Sequence, residues 1–132
     1  MITRIDHVGI VVKNTEEVLS AFSNLFGFKI FEKLETPEFK STLISKEDVT
    51  IELIEPISSE GTVAKFLERG GGLHHISLRV DDIDKEIKAL KAKGARLLSE
   101  EPIEATKEAR VMFVHPNSTK GTLIELIHRA KS

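Results

Sequence analysis

A chain that repeats itself must build its core from two related units, and this sequence repeats over most of its 132 residues. Ile5-Asp6-His7-Val8 aligns with Leu73-His74-His75-Ile76 at an offset of 68. "NTEEV" at 14–18 then falls on "DIDKE" at 82–86, and Gly27 falls on Gly94 at an offset of 67. Near the end of each half, "TIELIEP" at 50–56 faces "TLIELIH" at 122–128, which places Glu52 on Glu125 at an offset of 73. The offset grows because the second half carries a few extra loop residues. The order and spacing of these matches together point to a duplication.

Each half reads as a strand, a helix and three further strands. Val8, Ile10 and Val12 alternate along one face of a strand, as do Ile76, Leu78 and Val80. Asn14 is placed to cap the following helix with Glu17 three residues on, and Gly27 sits where a left-handed cap is needed. Val18, Ala21, Phe22 and Leu25 are the expected buried stripe. In the second half Asp81 or Asp82 starts the helix, Ile83, Ile87 and Leu90 form its stripe, and Gly94 ends it. Further strands are expected at about 28–34, 39–45 and 49–55, then at about 95–99, 109–115 and 121–127. Between the halves, "EGTVAKFLERGGG" reads as a short helix near 62–68 and a glycine-rich hinge. The expected fold class is α+β: tandem βαβββ modules forming an open, curved mixed-sheet barrel with the helices outside. We expect one domain over 1–132, with a first module at about 1–56, a linker helix at about 57–71 and a second module at about 72–132.

Composition narrows the function classes. Charged residues make up 30% and the formal net charge is −2, so wholesale binding to nucleic acid or to a membrane surface is not indicated. The absence of cysteine excludes disulfides, thiolate metal sites and a cysteine nucleophile. The apolar runs are short and interrupted, with no signal peptide or transmembrane span in view, and a cytoplasmic location is the expectation.

Strand parity selects the residues that carry chemistry. Successive side chains alternate faces, so His7 lies opposite Val8, Ile10 and Val12, with Gly9 as its neighbour on the same face. His75 lies opposite Ile76, Leu78 and Val80, with Ser77 as its neighbour. His74 falls with the apolar set and corresponds to Asp6. Glu52 and Glu125 are each flanked by apolar residues that point the other way, so each glutamate can face the concave side. A charge inside a sheet needs compensation, and a divalent cation held by two imidazoles and two carboxylates supplies it. The expected metal ligands are therefore His7, Glu52, His75 and Glu125. A thiolate-free set of this kind suits zinc, cobalt, nickel, iron or manganese, and leaves two octahedral positions for water or substrate. His115, before Pro116, and His128 are read as non-ligands.

The duplicated unit with "IDHVGIVV", "IELIEP", "LHHISLRVDDI" and "HPNSTKGTLIEL" resembles the vicinal oxygen chelate, or glyoxalase/bleomycin resistance, superfamily. Within it, "IDHVGIVVKN" at 5–14, "TVAKFLERGGGLHHISLRVDDID" at 62–84 and "HPNSTKGTLIEL" at 115–126 resemble the methylmalonyl-CoA epimerases. Carried over by position, that family's metal ligands fall on His7, Glu52, His75 and Glu125, the set that parity selects. The resemblance implies proton removal alpha to a thioester carbonyl through a metal-stabilised enolate, with Glu125 as both ligand and base. Two departures stand out. The family's glycine-rich segment is replaced by "IEATKEARV" at 103–111, read as a charged loop of helical leaning. The carboxylate that some members offer as a base has no counterpart among Lys40, Ser41 and Thr42. The alternative enzyme is a glyoxalase I type lactoylglutathione lyase. A metal-free drug-binding protein of the same fold and a metal-dependent dioxygenase are further readings. For an acyl-CoA or thioester substrate, Lys107, Arg110 and Lys120 are the candidate phosphate contacts, and a homodimer is the candidate assembly.

Overall fold

The computed structural model describes residues 1–106 and 108–130. The backbone forms two compact units. One comprises residues 7–74 and the other residues 1–6 with the chain from His75 onward. Each unit is a mixed α+β assembly that follows the strand, helix, three-strand order read from the repeat.

In the unit spanning 7–74, strand β1 (Ile2–Val11) contributes its second half and lies parallel to β4 (Val49–Pro56), with Gly9 opposite Glu52. Strand β3 (Phe39–Lys46) runs antiparallel to β4 and sets Leu43 opposite Glu52. Strand β2 (Lys29–Glu35) completes the sheet beside β3, with a bulge between Ile30 and Glu32. Helix α1 (Thr15–Phe26) begins where the Asn14 side chain accepts the Glu17 N–H at 3.1 Å, and it ends at Gly27 in the left-handed conformation, φ 80°. The Glu55 carboxylate also accepts the Thr15 N–H at 2.7 Å. Burial pushes the Glu55 pKa up, but the Thr15 N–H and nearby Lys40 outweigh it and hold the carboxyl below the ordinary glutamate range.

The core under α1 contains Val12, Phe28, Ile44 and Leu53, with Ile10, Val18, Leu19, Phe22 and Ile51 packed against it. The expected stripe is therefore corrected: Ala21 and Leu25 are exposed, and Leu19 takes their place. A 12-residue helix covering a twisted sheet at an angle does not hold one stripe along its whole length. Phe26 instead folds its ring against Phe22 edge to face.

On the opposite sheet face, helix α2 (Thr62–Glu68) closes a second cluster of Val11, Ile54 and Val63. The chain then turns through Gly70, Gly71 and Gly72, all at positive φ. Gly71 is the demanding one, because a Cβ there would meet the Val11 carbonyl oxygen at 2.9 Å. In the β3–β4 turn, Glu47 adopts φ 58° without being glycine.

In the other unit, β5 (Gly72–Val80), from His75 on, lies parallel to β8 (Ile124–Arg129), with Ser77 opposite Glu125. Strand β7 (Ala109–Val114) is antiparallel to β8 and sets Phe113 opposite Glu125. Helix α3 (Ile83–Ala92) starts at Asp82, whose carboxylate accepts the Lys85 N–H at 3.1 Å, and Gly94 follows its end at φ 84°. Ile83, Ile87, Val80, Met112, Val114 and Leu126 form the core, with Leu90 against it.

The strand expected at 95–99 is corrected, since that stretch makes only a single bridge, Leu97 to Val114. The outer edge of β7 is covered instead by β6 (Ile103–Thr106), inside the segment read as a loop of helical leaning. An edge of unpaired N–H and C=O groups is satisfied most simply by the segment just before it folding back as a hairpin, and its charged residues suit an exposed edge.

Gly71→Ala is expected to keep the secondary structure but lower stability by about 1–3 kcal/mol, from positive-φ strain plus the approach to Val11. A chemical-denaturation midpoint equal to that of the parent would show that the turn relaxes without loss.

Candidate metal centre

In the unit spanning 7–74, β1 presents His7 on the face opposite Ile10, which is half-buried and packs against the core under α1. The imidazole is 5% exposed, and its Nε2 lies 3.3 Å from Glu52 Oε1 on β4. The other carboxylate oxygen, Oε2, accepts the Ser41 hydroxyl at 2.6 Å. Glu52 is thus held at both oxygens by groups from two different strands.

The other unit contains the equivalent pair. His75 is also 5% exposed, and its Nε2 stands 3.9 Å from Glu125 Oε1 on β8. The Phe113 ring meets the His75 imidazole edge to face at 5.8 Å and fixes its plane. Ser77, fully buried, occupies the same face of β5. His74 does something else: its ring packs edge-on against Phe66 of α2 at 4.9 Å. The adjacent histidines of β5 thus have separate environments, as parity requires.

The donor chemistry in each unit fits a divalent cation. A buried carboxylate beside a buried imidazole gathers acceptor atoms that repel unless a proton or a metal lies between them. Neighbouring ligands bound at about 2.1 Å to one ion are separated by roughly 3 Å, and the His7–Glu52 distance is close to that. The His75–Glu125 distance is wider and would close by a small side-chain rotation.

Sequence reasoning did not single out two supports. One is Ser41, noted only for lacking a carboxylate. The other is Asp6, the residue before His7, which belongs to the unit that continues from His75. Its carboxylate, 1% exposed, receives Arg79 Nη2 at 2.7 Å and Nε at 2.8 Å, and Arg129 Nε and Nη2 both at 2.9 Å. A buried aspartate is satisfied here by two forked donors. The signal was available: an Asp within a strand, with arginines near the ends of two others.

The remaining expectations resolve individually. Arg110 grips Asp84 of α3 with two hydrogen bonds of 3.1 and 3.2 Å, which holds the Asp84 carboxyl below its ordinary range. Lys120 caps a short 3₁₀ turn at Pro116–Thr119 in the left-handed conformation. Lys107 lies outside the described residues. His115 Nδ1 accepts the Asn117 N–H at 3.0 Å, a capping role, and His128 pairs with Arg110 across β7 and β8.

The fold and these paired histidines and glutamates define a class. Residues 6–113 match the Glyoxalase/Bleomycin resistance protein/Dioxygenase superfamily, and the chain belongs to it. Within that class the likeness is narrower. The ethylmalonyl-CoA/methylmalonyl-CoA epimerase of Cereibacter sphaeroides is 35% identical, over 96% of this chain and 98% of that protein. The mitochondrial methylmalonyl-CoA epimerase of Dictyostelium discoideum is 33% identical, over 95% of this chain and 78% of that one. A substituted Streptomyces coelicolor methylmalonyl-CoA epimerase, in complex with 2-nitronate-propionyl-CoA, superposes with a TM-score of 0.92 at 27% identity, covering 98% of this chain and 99% of that one. No described helix is long and apolar enough to cross a membrane.

Asp6→Ala leaves two guanidinium groups without their buried counter-ion, and a loss of about 3 kcal/mol or more is expected in urea unfolding. A loss below about 1 kcal/mol, the range of exposed pairs, would show that the clamp is solvated in solution.

Proposed function

We propose that the protein is an isomerase that interconverts the epimers of methylmalonyl-CoA, and that His7, Glu52, His75 and Glu125 together hold one divalent cation for that reaction. The observation that carries this reading is a buried histidine beside a glutamate at equivalent repeat positions in each unit of a chain whose relatives are epimerases of this substrate. The bound coenzyme A analogue of the Streptomyces relative supports an acyl-CoA as the substrate class.

The chemistry asked of the protein is modest. The proton on C2 lies between a thioester carbonyl and a carboxylate, so its removal needs a base and a means of spreading charge. The cation, when bound, supplies Lewis acidity toward substrate oxygen and so eases that removal. Glu52, gripped by Ser41 and facing His7, stays in place as a ligand. Glu125 is assigned the proton: its carboxylate takes hydrogen from C2, leaving the carbon planar, and a proton delivered to the other face completes the inversion. Phe113 against His75 limits the motion of the imidazole beside that carboxylate.

Two measurements test this. In D2O, deuterium is expected to enter C2 of methylmalonyl-CoA, and chelator or Glu125→Gln should reduce the exchange by at least about 100-fold. Metal-replete protein that leaves C2 unlabelled would remove the proposed activity. Separately, His75→Ala is expected to lose its cation on desalting while His74→Ala, whose ring faces Phe66, retains it. Elemental analysis showing equal loss from both variants would overturn the assignment of the two histidines.

A further inference from the structure

We propose that Ser41 is a positioning residue that fixes the coordination mode of Glu52 and thereby sets the cation affinity of the site; this rests on the metal-dependent reading above. Ser41 is a buried residue of β3, 5% exposed, and its hydroxyl donates to Glu52 Oε2 at 2.6 Å. A hydroxyl donating to a carboxylate at that distance is a charge-assisted bond of the stronger kind. Its geometric effect is specific. The terminal carboxylate torsion of a glutamate is broad and nearly twofold, so an unrestrained Glu52 would present either oxygen, or both, to a cation. With Oε2 engaged by Ser41, Oε1 is the oxygen that faces His7 Nε2 at 3.3 Å. Ser41 therefore selects ligation through one oxygen and holds the carboxylate plane before a cation arrives.

The strand register explains why position 41 has this role. Leu43 stands directly opposite Glu52 in the β3–β4 pairing, and Ser41 is the next residue on the same face, within reach of a glutamate side chain leaning along its strand. In the second half Phe113 stands opposite Glu125, and the residue two before it is Val111, which has no hydroxyl to offer. The hydroxyl at 41 is thus a feature of one half, and nothing in the fold itself requires it.

The effect of removing such a hydrogen-bond partner of a metal ligand is about 10- to 100-fold in metal affinity. The experiment uses full-length protein stripped of metal and titrated with cobalt(II), read by competition with a chromophoric chelator and by the visible absorption of the bound ion. Ser41→Ala is expected to bind cobalt about 10- to 100-fold more weakly and with an altered absorption band, as both Glu52 oxygens become available. Ser41→Thr, which keeps the hydroxyl, should recover the parent affinity and band. The unfolding midpoints of the metal-free proteins separate this from a loss of folding, and Ser41→Val, the residue type at the equivalent Val111, serves if the alanine variant does not fold. Parent-like cobalt binding by Ser41→Ala or Ser41→Val would sink the positioning role alone. So would a threonine variant as weak as alanine. A parent protein that binds no cobalt would remove both this inference and the metal reading on which it rests.

Discussion

Side chains along a β-strand alternate, and in this protein that alternation must serve two incompatible environments from the same few residues. On β1, Ile10 goes under α1 while His7 faces the other way. On β5, Leu78 and Val80 pack against the core of α3 while His75 and Ser77 take the opposite face. A slip of one residue in either strand would drive an imidazole into a hydrocarbon cluster and turn out the residues that hold the helix in place. Register is therefore the quantity the rest of the structure protects. The Asn14 and Asp82 caps, the left-handed glycines after the helices and the parallel pairings of β1 with β4 and β5 with β8 all act to keep it. Asp6 and its two arginines tie β1 to β5 and β8 just before His7.

The two halves carry the same residue types at these positions but surround them differently. Glu52 has a serine from β3 on its second oxygen and a glycine opposite it on β1. Glu125 has a serine opposite it on β5 and a valine at the place equivalent to Ser41. Two carboxylates of identical chemistry thus sit in different surroundings, one clamped by a neighbour's hydroxyl and one beside an aromatic-braced histidine. Different surroundings are how two groups of equal chemistry come to differ in basicity and mobility.

Much of this was legible before any coordinates. The repeat, the caps at Asn14 and Asp82, the short helix at Thr62–Glu68 and the face assignment of His7, His75, Glu52 and Glu125 follow from period, parity and cap chemistry, which are local rules. What was misread depended on neighbours distant in sequence. Leu25 has the right residue type for a buried stripe, yet α1 crosses the sheet so that Leu19 is covered and Leu25 is left in solvent. Residues 103–106 carry charge and little alternation, and become a strand because β7 has an edge to fill. The link from Ser41 to Glu52 joins two strands whose relative register no local pattern specifies. The Asp6 clamp requires three strands to be known at once.

The turn between β3 and β4 has a consequence for how such a chain can change over time. Glu47 holds a left-handed backbone that costs a side-chain-bearing residue about 1 kcal/mol, and its carboxylate lies 4.0 Å from Lys46 Nζ. The hairpin that carries both Ser41 and Glu52 is therefore below its own stability optimum. Glycine or asparagine at this position would recover that margin without touching any residue of the site. Drift at one exposed turn thus sets how much destabilising variation the neighbouring strands can tolerate, and with it how readily new substrates can be explored on this half of the fold.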